Sequence, residues 1–137
     1  MDNKLEYIPG DLVMVKESAL QFAKDKIFKV ISSLSGGFLK VVMLNDSSTT
    51  YSISNNAIRP IPLTSEILKK NGWKDDGYDW YRLPTKRAYL YITKDITTLG
   101  EFLVCVGLDR HNLASINFVH QLQHLLFGLG INHKMEV

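Results

Sequence analysis

His120 and His124 lie four residues apart in Ser115–Gly130 (S-I-N-F-V-H-Q-L-Q-H-L-L-F-G-L-G), the chain's one long helical pattern, and are two of its four histidines. At that spacing two imidazoles project from the same helix face, the geometry of a two-histidine metal pair. Zinc proteases place a glutamate base directly after the first histidine, and here Gln121 stands there with no carboxylate to take a proton. A third ligand would have to come from His111, His133 or Asp109, which spacing alone does not place. The plainer alternative makes Asn117, His120, Gln121 and His124 a polar face available to a partner. Opposite it, Phe118, Val119, Leu122, Leu125, Leu126 and Leu129 form an apolar stripe. On this reading Ser115 caps the helix start and Gly130 takes the left-handed position past its end.

Other reactive residue types are weaker signals. Cys105, His111 and Asp109 are the ingredients of a thiol triad, but Cys105 sits within F-L-V-C-V-G, where a free cysteine behaves as a small core hydrophobe. Gly36-Gly37 and Gly128-Leu129-Gly130 lack the lysine and hydroxyl of a phosphate loop. Asp75-Asp76-Gly77-Tyr78-Asp79 lacks the later bidentate glutamate of a calcium loop and reads as a hairpin turn. The aromatic group is richer: Trp73, Tyr78, Trp80, Tyr81, Tyr89 and Tyr91 lie among Lys74, Arg82, Lys86 and Arg87. Arg87, Tyr89 and Tyr91 alternate onto one strand face, a pattern suited to stacking a base beside a phosphate contact. The same rings serve equally to pack two parts of a protein together or to bind a protein or carbohydrate.

Composition narrows the partners. Of 137 residues, 45% are hydrophobic and 22% charged, the balance of a globular protein. Net charge is +2, with no basic tail, which argues against a large electrostatic contribution to nucleic-acid binding. The single cysteine forms no intrachain disulfide, and no signal-like or membrane-length apolar run is present, so a cytoplasmic protein with no membrane association is expected.

The elements that must position these residues fall in two parts. In residues 1–62, short β-rich runs at Leu12–Lys16, Ile27–Ser32, Phe38–Leu44, Thr49–Ile53 and near Ile58 are separated by the turns Ile8–Asp11, Ser35–Gly37, Asn45–Ser48 and Ser54–Asn56. Glu17–Lys26 is a longer insertion. The runs G-D-L-V-M-V, I-F-K-V-I and F-L-K-V-V-M-L resemble the start of SH3-like barrels, a fold that closes its own edges. Arg59-Pro60-Ile61-Pro62-Leu63 is a hinge that resists both helix and central strand. Residues 63–137 predict an α-β-β-β-α unit. Its first helix is Ser65–Asn71, capped by Thr64 and stopped by Gly72. Strands follow at Tyr78–Leu83, Arg87–Thr93 and Glu101–Val106, then the long helix packed on the antiparallel sheet. Ile131–Val137 is a tail with room for an edge strand.

Pro60-Ile61-Pro62-Leu63-Thr64, followed by Ile67-Leu68 and Asn71-Gly72-Trp73, resembles a P-I-P-L-T-x-E-x-L-x-x-x-G-F/W pattern. Val119-His120-Gln121-Leu122-Gln123 resembles V-H-Q-L-Q of the same group, short proteins from Bacteroidetes genomes and their phages. Here Glu66 stands one position early and Trp73 replaces the commoner Phe. The resemblance covers the second half of the chain and implies a prophage or mobile-element origin, with no activity attached.

The sequence thus predicts an α+β protein, an SH3-like β-barrel (1–62) followed by an α-β-β-β-α unit (63–137). It is expected to be a non-enzymatic interaction module without cofactor, acting on a protein partner or on a second copy of itself. Its expected surface is the tyrosine face (Arg87, Tyr89, Tyr91) or the polar helix face (Asn117, His120, Gln121, His124). The alternatives are a nucleic-acid-binding accessory protein using Arg87, Tyr89, Tyr91 and Lys40, and a metal-binding protein using His120 and His124.

Overall fold

The computed structural model describes residues 7–16, 26–78, 80–86, 89–94, 101–107 and 111–137. Glu17–Asp25, Arg87 and Asp109, which figured in the expectations above, lie outside the described residues. The described residues are mostly β with two α-helices, an α+β arrangement of two antiparallel five-stranded sheets. It divides into two compact units, Met1–Ile61 and Pro62–Val137.

In the first unit, β1 (Leu12–Val15), β2 (Phe28–Leu34), β3 (Phe38–Met43), β4 (Asp46–Ser54) and β5 (Ile58–Pro60) pair in the order β4-β3-β2-β1-β5. The Pro9-Gly10 turn that opens it is closed by Asp11, whose carboxylate accepts from Ile8 N–H at 2.8 Å. The β2–β3 hairpin turns through Gly36 and Gly37, at φ 77° and 80°, where a side chain would be strained. A single 3₁₀ turn, Asn55–Ala57, redirects the chain from β4 to β5, with Ser54 Oγ accepting from Asn56 N–H at 3.3 Å. Alternate positions of all five strands bury one core of Val13, Val15, Phe28, Val30, Leu39, Val41, Ile53 and Ile58. Edges remain at β4 and β5, so the sheet is not closed into the expected barrel. The strand β4 also begins at Asp46, where a turn through Ser48 was expected. Asp46 Oδ1 accepts from the N–H and hydroxyl of Ser48, which fixes that bend within the strand itself.

The second unit has five strands where the sequence predicts three. They are β6 (Lys74–Gly77), β7 (Trp80–Pro84), β8 (Tyr89–Lys94), β9 (Phe102–Val106) and β10 (His111–Ile116), a meander in the order β10-β9-β8-β7-β6. Within the expected Asp75–Asp79 hairpin turn, Asp75-Asp76-Gly77 is instead part of an edge strand paired to β7, and the reversal is confined to Gly77 and the residues after it. Ser115, expected as a helix cap, lies in β10 opposite Leu103. Ladder hydrogen bonds to β9 outweigh the local helical pattern there, a tertiary override of propensity.

Helix α1 (Ser65–Lys70) forms as its cap predicts, with Thr64 Oγ1 accepting from Ile67 N–H at 3.2 Å and Gly72 at φ 89° ending it. Helix α2 spans Val119–Gly128. Its end is a Schellman motif, in which Ile131 N–H reaches Leu126 O at 2.9 Å and Gly130 N–H reaches Phe127 O at 3.0 Å. Leu68, Ile92, Val104, Val119 and Leu122 are fully buried, each contributing roughly 1.5–3 kcal/mol of hydrophobic stabilisation. The tail adds no strand. The Asn71 side chain instead donates to Ile67 O and Glu136 O and accepts from Glu136 N–H, all at 2.7 Å, and Met135 is buried behind this clamp.

Candidate functional site

The polar helix face is not a free surface. His120, expected on the polar face, is 1% exposed, as is its neighbour Gln123, while Leu129, expected toward the interior, is 40% exposed. The stripe otherwise faces inward as expected, with Val119, Leu122 and Leu126 buried and Leu125 half-buried, and His120 is buried beside it. The helix starts three residues later than the Ser115 cap implies, with Phe118 at its N-cap. Phe118 has no side-chain acceptor with which to cap, so Gln121 reaches back, its Oε1 accepting from Asn117 N–H at 2.8 Å and Phe118 N–H at 3.1 Å. Gln121 and the Asn117 backbone are thereby used in folding.

His120 lies with its ring stacked on Phe118 at 6.0 Å and edge-on to His124 at 5.5 Å. Burial, with the His124 charge beside it, pushes the His120 imidazole down to about 4, so it is neutral at physiological pH. Gln123 donates to His133 O at 3.3 Å, and the His133 ring meets Phe127 at 5.0 Å. Among the described residues, no group of three or more His, Cys, Asp or Glu side chains is gathered as a metal would require. Cys105 is buried, with its sulfur 3.1 Å from Asn112 Oδ1, and His111 is exposed at the start of β10.

The aromatic group does assemble. In the β7–β8 ladder Arg82 stands opposite Tyr91, Trp80 opposite Thr93 and Pro84 opposite Tyr89. Trp80, Arg82, Tyr89 and Tyr91 therefore share one face of the sheet. The other face carries Tyr81, Leu90, Ile92 and Val104. Tyr89 and Tyr91 lie 6.4 Å apart, and Trp80 meets Tyr91 edge-on at 6.3 Å. The Arg82 guanidinium sits over the Tyr89 ring at 5.1 Å from its centre, and Asp76 on β6 approaches the same guanidinium at 3.9 Å. Tyr89 is 42% exposed and Tyr91 only 6%, so the tyrosines divide the work. Tyr91 is a foundation and Tyr89 the accessible ring.

The sequence names Arg82 among the cations of this group but sets Arg87, which lies outside the described residues, beside the tyrosines. Arg82 is seven residues from Tyr89, a separation that says nothing until the hairpin register is fixed. The signal that could have found it is the β7–β8 register: pairing Pro84 with Tyr89 brings Arg82 diagonal to the ring. Lys40, named as a nucleic-acid contact, lies half-buried on β3 of the other unit, opposite Ser52. No protein family, curated protein or solved structure matches this chain.

Proposed function

We propose that this chain is a non-enzymatic interaction protein that docks a protein partner through the Trp80–Arg82–Tyr89 face of its C-terminal sheet. The observation that carries this reading is the Arg82 guanidinium stacked on the exposed Tyr89 ring. Tyrosine, tryptophan and arginine are the residues that most often dominate protein interfaces, because each joins a large apolar surface to a directional polar group. Stacking also holds the exposed ring in place before a partner arrives, which lowers the ordering cost of binding. Asp76 partly neutralises Arg82, and the buried Tyr91 ring offers no face to a base, so a protein surface fits better than a nucleic acid.

The N-terminal unit belongs to the same reading as an SH3-like module. In support, its strand order is β4-β3-β2-β1-β5, and among the described residues its core is drawn from that unit, as a sheet curled over its own face would have it. The prophage or mobile-element origin rests on the Pro60–Trp73 and Val119–Gln123 motifs, and the cytoplasmic setting on the single buried thiol. No helix is long and apolar enough to cross a membrane among the described residues.

The test compares what co-purifies with the intact chain and with Tyr89→Ala, Arg82→Ala and His124→Ala. A protein that binds the wild type and the His124 variant alike, but binds the first two roughly 30-fold more weakly, is the expected result. Equal recovery by the Tyr89 variant would move the docking surface elsewhere. Recovery of nucleic acid that dissociates near 0.2 M salt, on the order of a counterion-release effect, would replace the protein partner. Equimolar zinc that disappears in His124→Ala would restore the metal reading.

A further inference from the structure

Among the described residues the two five-stranded sheets leave four edges, and three carry recognised protection against pairing with another chain. Edge β5 is three residues long and contains Arg59 and Pro60. Edge β6 is Lys-Asp-Asp-Gly. Edge β10 breaks its register at Leu113, which twists the strand there. Edge β4 differs: it runs for nine residues, and its Thr49–Ser54 segment (T-T-Y-S-I-S) holds no charge, proline or glycine. Its one irregularity lies at the other end, between the Val42–Thr50 and Met43–Asp46 pairings.

The hydrogen-bond phase identifies the outward groups. Asn55 N–H donates to Gly37 O at 2.8 Å, and the register pairs Phe38 with Ser54, Lys40 with Ser52 and Val42 with Thr50. Counting along the antiparallel ladder, Asn55, Ile53 and Tyr51 bond to β3, whereas Ser54, Ser52 and Thr50 turn their N–H and C=O groups away from it. Thr50 and Ser52 are exposed.

We infer that β4 pairs antiparallel with β4 of a second copy of this chain, with Ser52 on the two-fold axis. In that register Thr50 bonds to Ser54 of the second copy, Ser52 to Ser52, and Ser54 to Thr50, so every outward group of the segment finds a partner. Tyr51 falls opposite Ile53 of the second copy, an aromatic and β-branched pair that suits a strand interface. The only charge on β4, Asp46, lies toward opposite ends of the two copies, so no like charges meet. The same patch meets itself, so the contact is isologous and closes at two. It is separate from the Tyr89 face.

Analytical ultracentrifugation of the full chain from about 1 µM to 1 mM tests the inference across the range of modest interface affinities. The expected result is a shift from 15.6 kDa toward about 31 kDa, twice the chain mass. Ser52→Lys places two ammonium groups against each other on the axis and is expected to weaken the dimer by about tenfold or more. An equal mixture of Ser52→Lys and Ser52→Asp is expected to restore it as a heterodimer. Tyr89→Ala is expected to dimerise as the wild type does, which separates this result from the fate of the C-terminal face. A monomer at all concentrations, undiminished dimerisation of Ser52→Lys, or a mixture that stays monomeric while both variants keep the wild-type circular dichroism would each overturn it.

Discussion

His120 shows most plainly what residue identity alone conceals. It has the spacing of a metal ligand and the environment of a core residue. Its folded-state proton affinity is depressed, to about 4 from an ordinary value of 6.5, because burial disfavours the imidazolium. The unfolded chain therefore takes up a proton below pH 6.5 that the folded chain refuses. Stability from this group is fully present above pH 6.5 and is lost as the pH falls from there toward 4, by up to ~3 kcal/mol. Urea unfolding at pH 7.5 and pH 5 measures the loss, and His120→Leu should flatten that part of the profile. A profile unchanged by the substitution would mean that the ring protonates in place. Asn71 makes a second residue-scale case. Its amide makes three hydrogen bonds at 2.7 Å, one back to Ile67 of α1 and two to Glu136 of the tail, so Asn71→Ala is expected to cost roughly 1–3 kcal/mol and to expose Met135–Val137 to proteolysis.

At the scale of elements, turn and cap chemistry explains both the successes and the misses of the sequence reading. Thr64, Gly72 and Gly130 are local signals, and the structure uses all three where they were expected, because a cap or a positive φ depends on a few neighbouring atoms. Ser115 is equally good local chemistry and is not used, because β9 offers its segment a ladder. The β6–β7 turn places Tyr78 at φ 55° with its side chain 98% exposed, a conformation that costs a non-glycine residue roughly 1–2 kcal/mol. Tyr78→Gly is therefore expected to raise the thermal midpoint, with a gain of about 1 kcal/mol after the added freedom of the unfolded chain is subtracted. A lowered midpoint would show that the exposed ring is itself held by a contact. Gln121→Ala removes the acceptor for two N–H groups at the start of α2 and should cost about 1 kcal/mol, read as lost helicity and an earlier urea transition.

For the whole molecule, near-neutral charge and an aromatic face together predict how binding responds to salt. Net charge is +2 on 137 residues, and Arg82 already has Asp76 beside it. Raising salt from about 0.05 to 0.2 M should change Tyr89-dependent binding by less than roughly tenfold, whereas a surface contacting several phosphates would lose about a thousandfold. Isothermal titration at the two salt concentrations separates the cases.

The sequence by itself determined the elements whose cause is local: the β-rich first part with its glycine hairpin, the capped α1, the left-handed Gly130 that ends α2 and the strand face shared by Tyr89 and Tyr91. It also determined the α+β class, since short alternating runs and one long amphipathic segment leave few other ways to bury their apolar faces. Only the tertiary structure decided which histidine is buried, that β6 and β10 widen the second sheet, that Arg82 is the cation on Tyr89, and that β4 is an edge. Each of these depends on strand register. Register brings together residues far apart along the chain, and no pattern within a single segment encodes it.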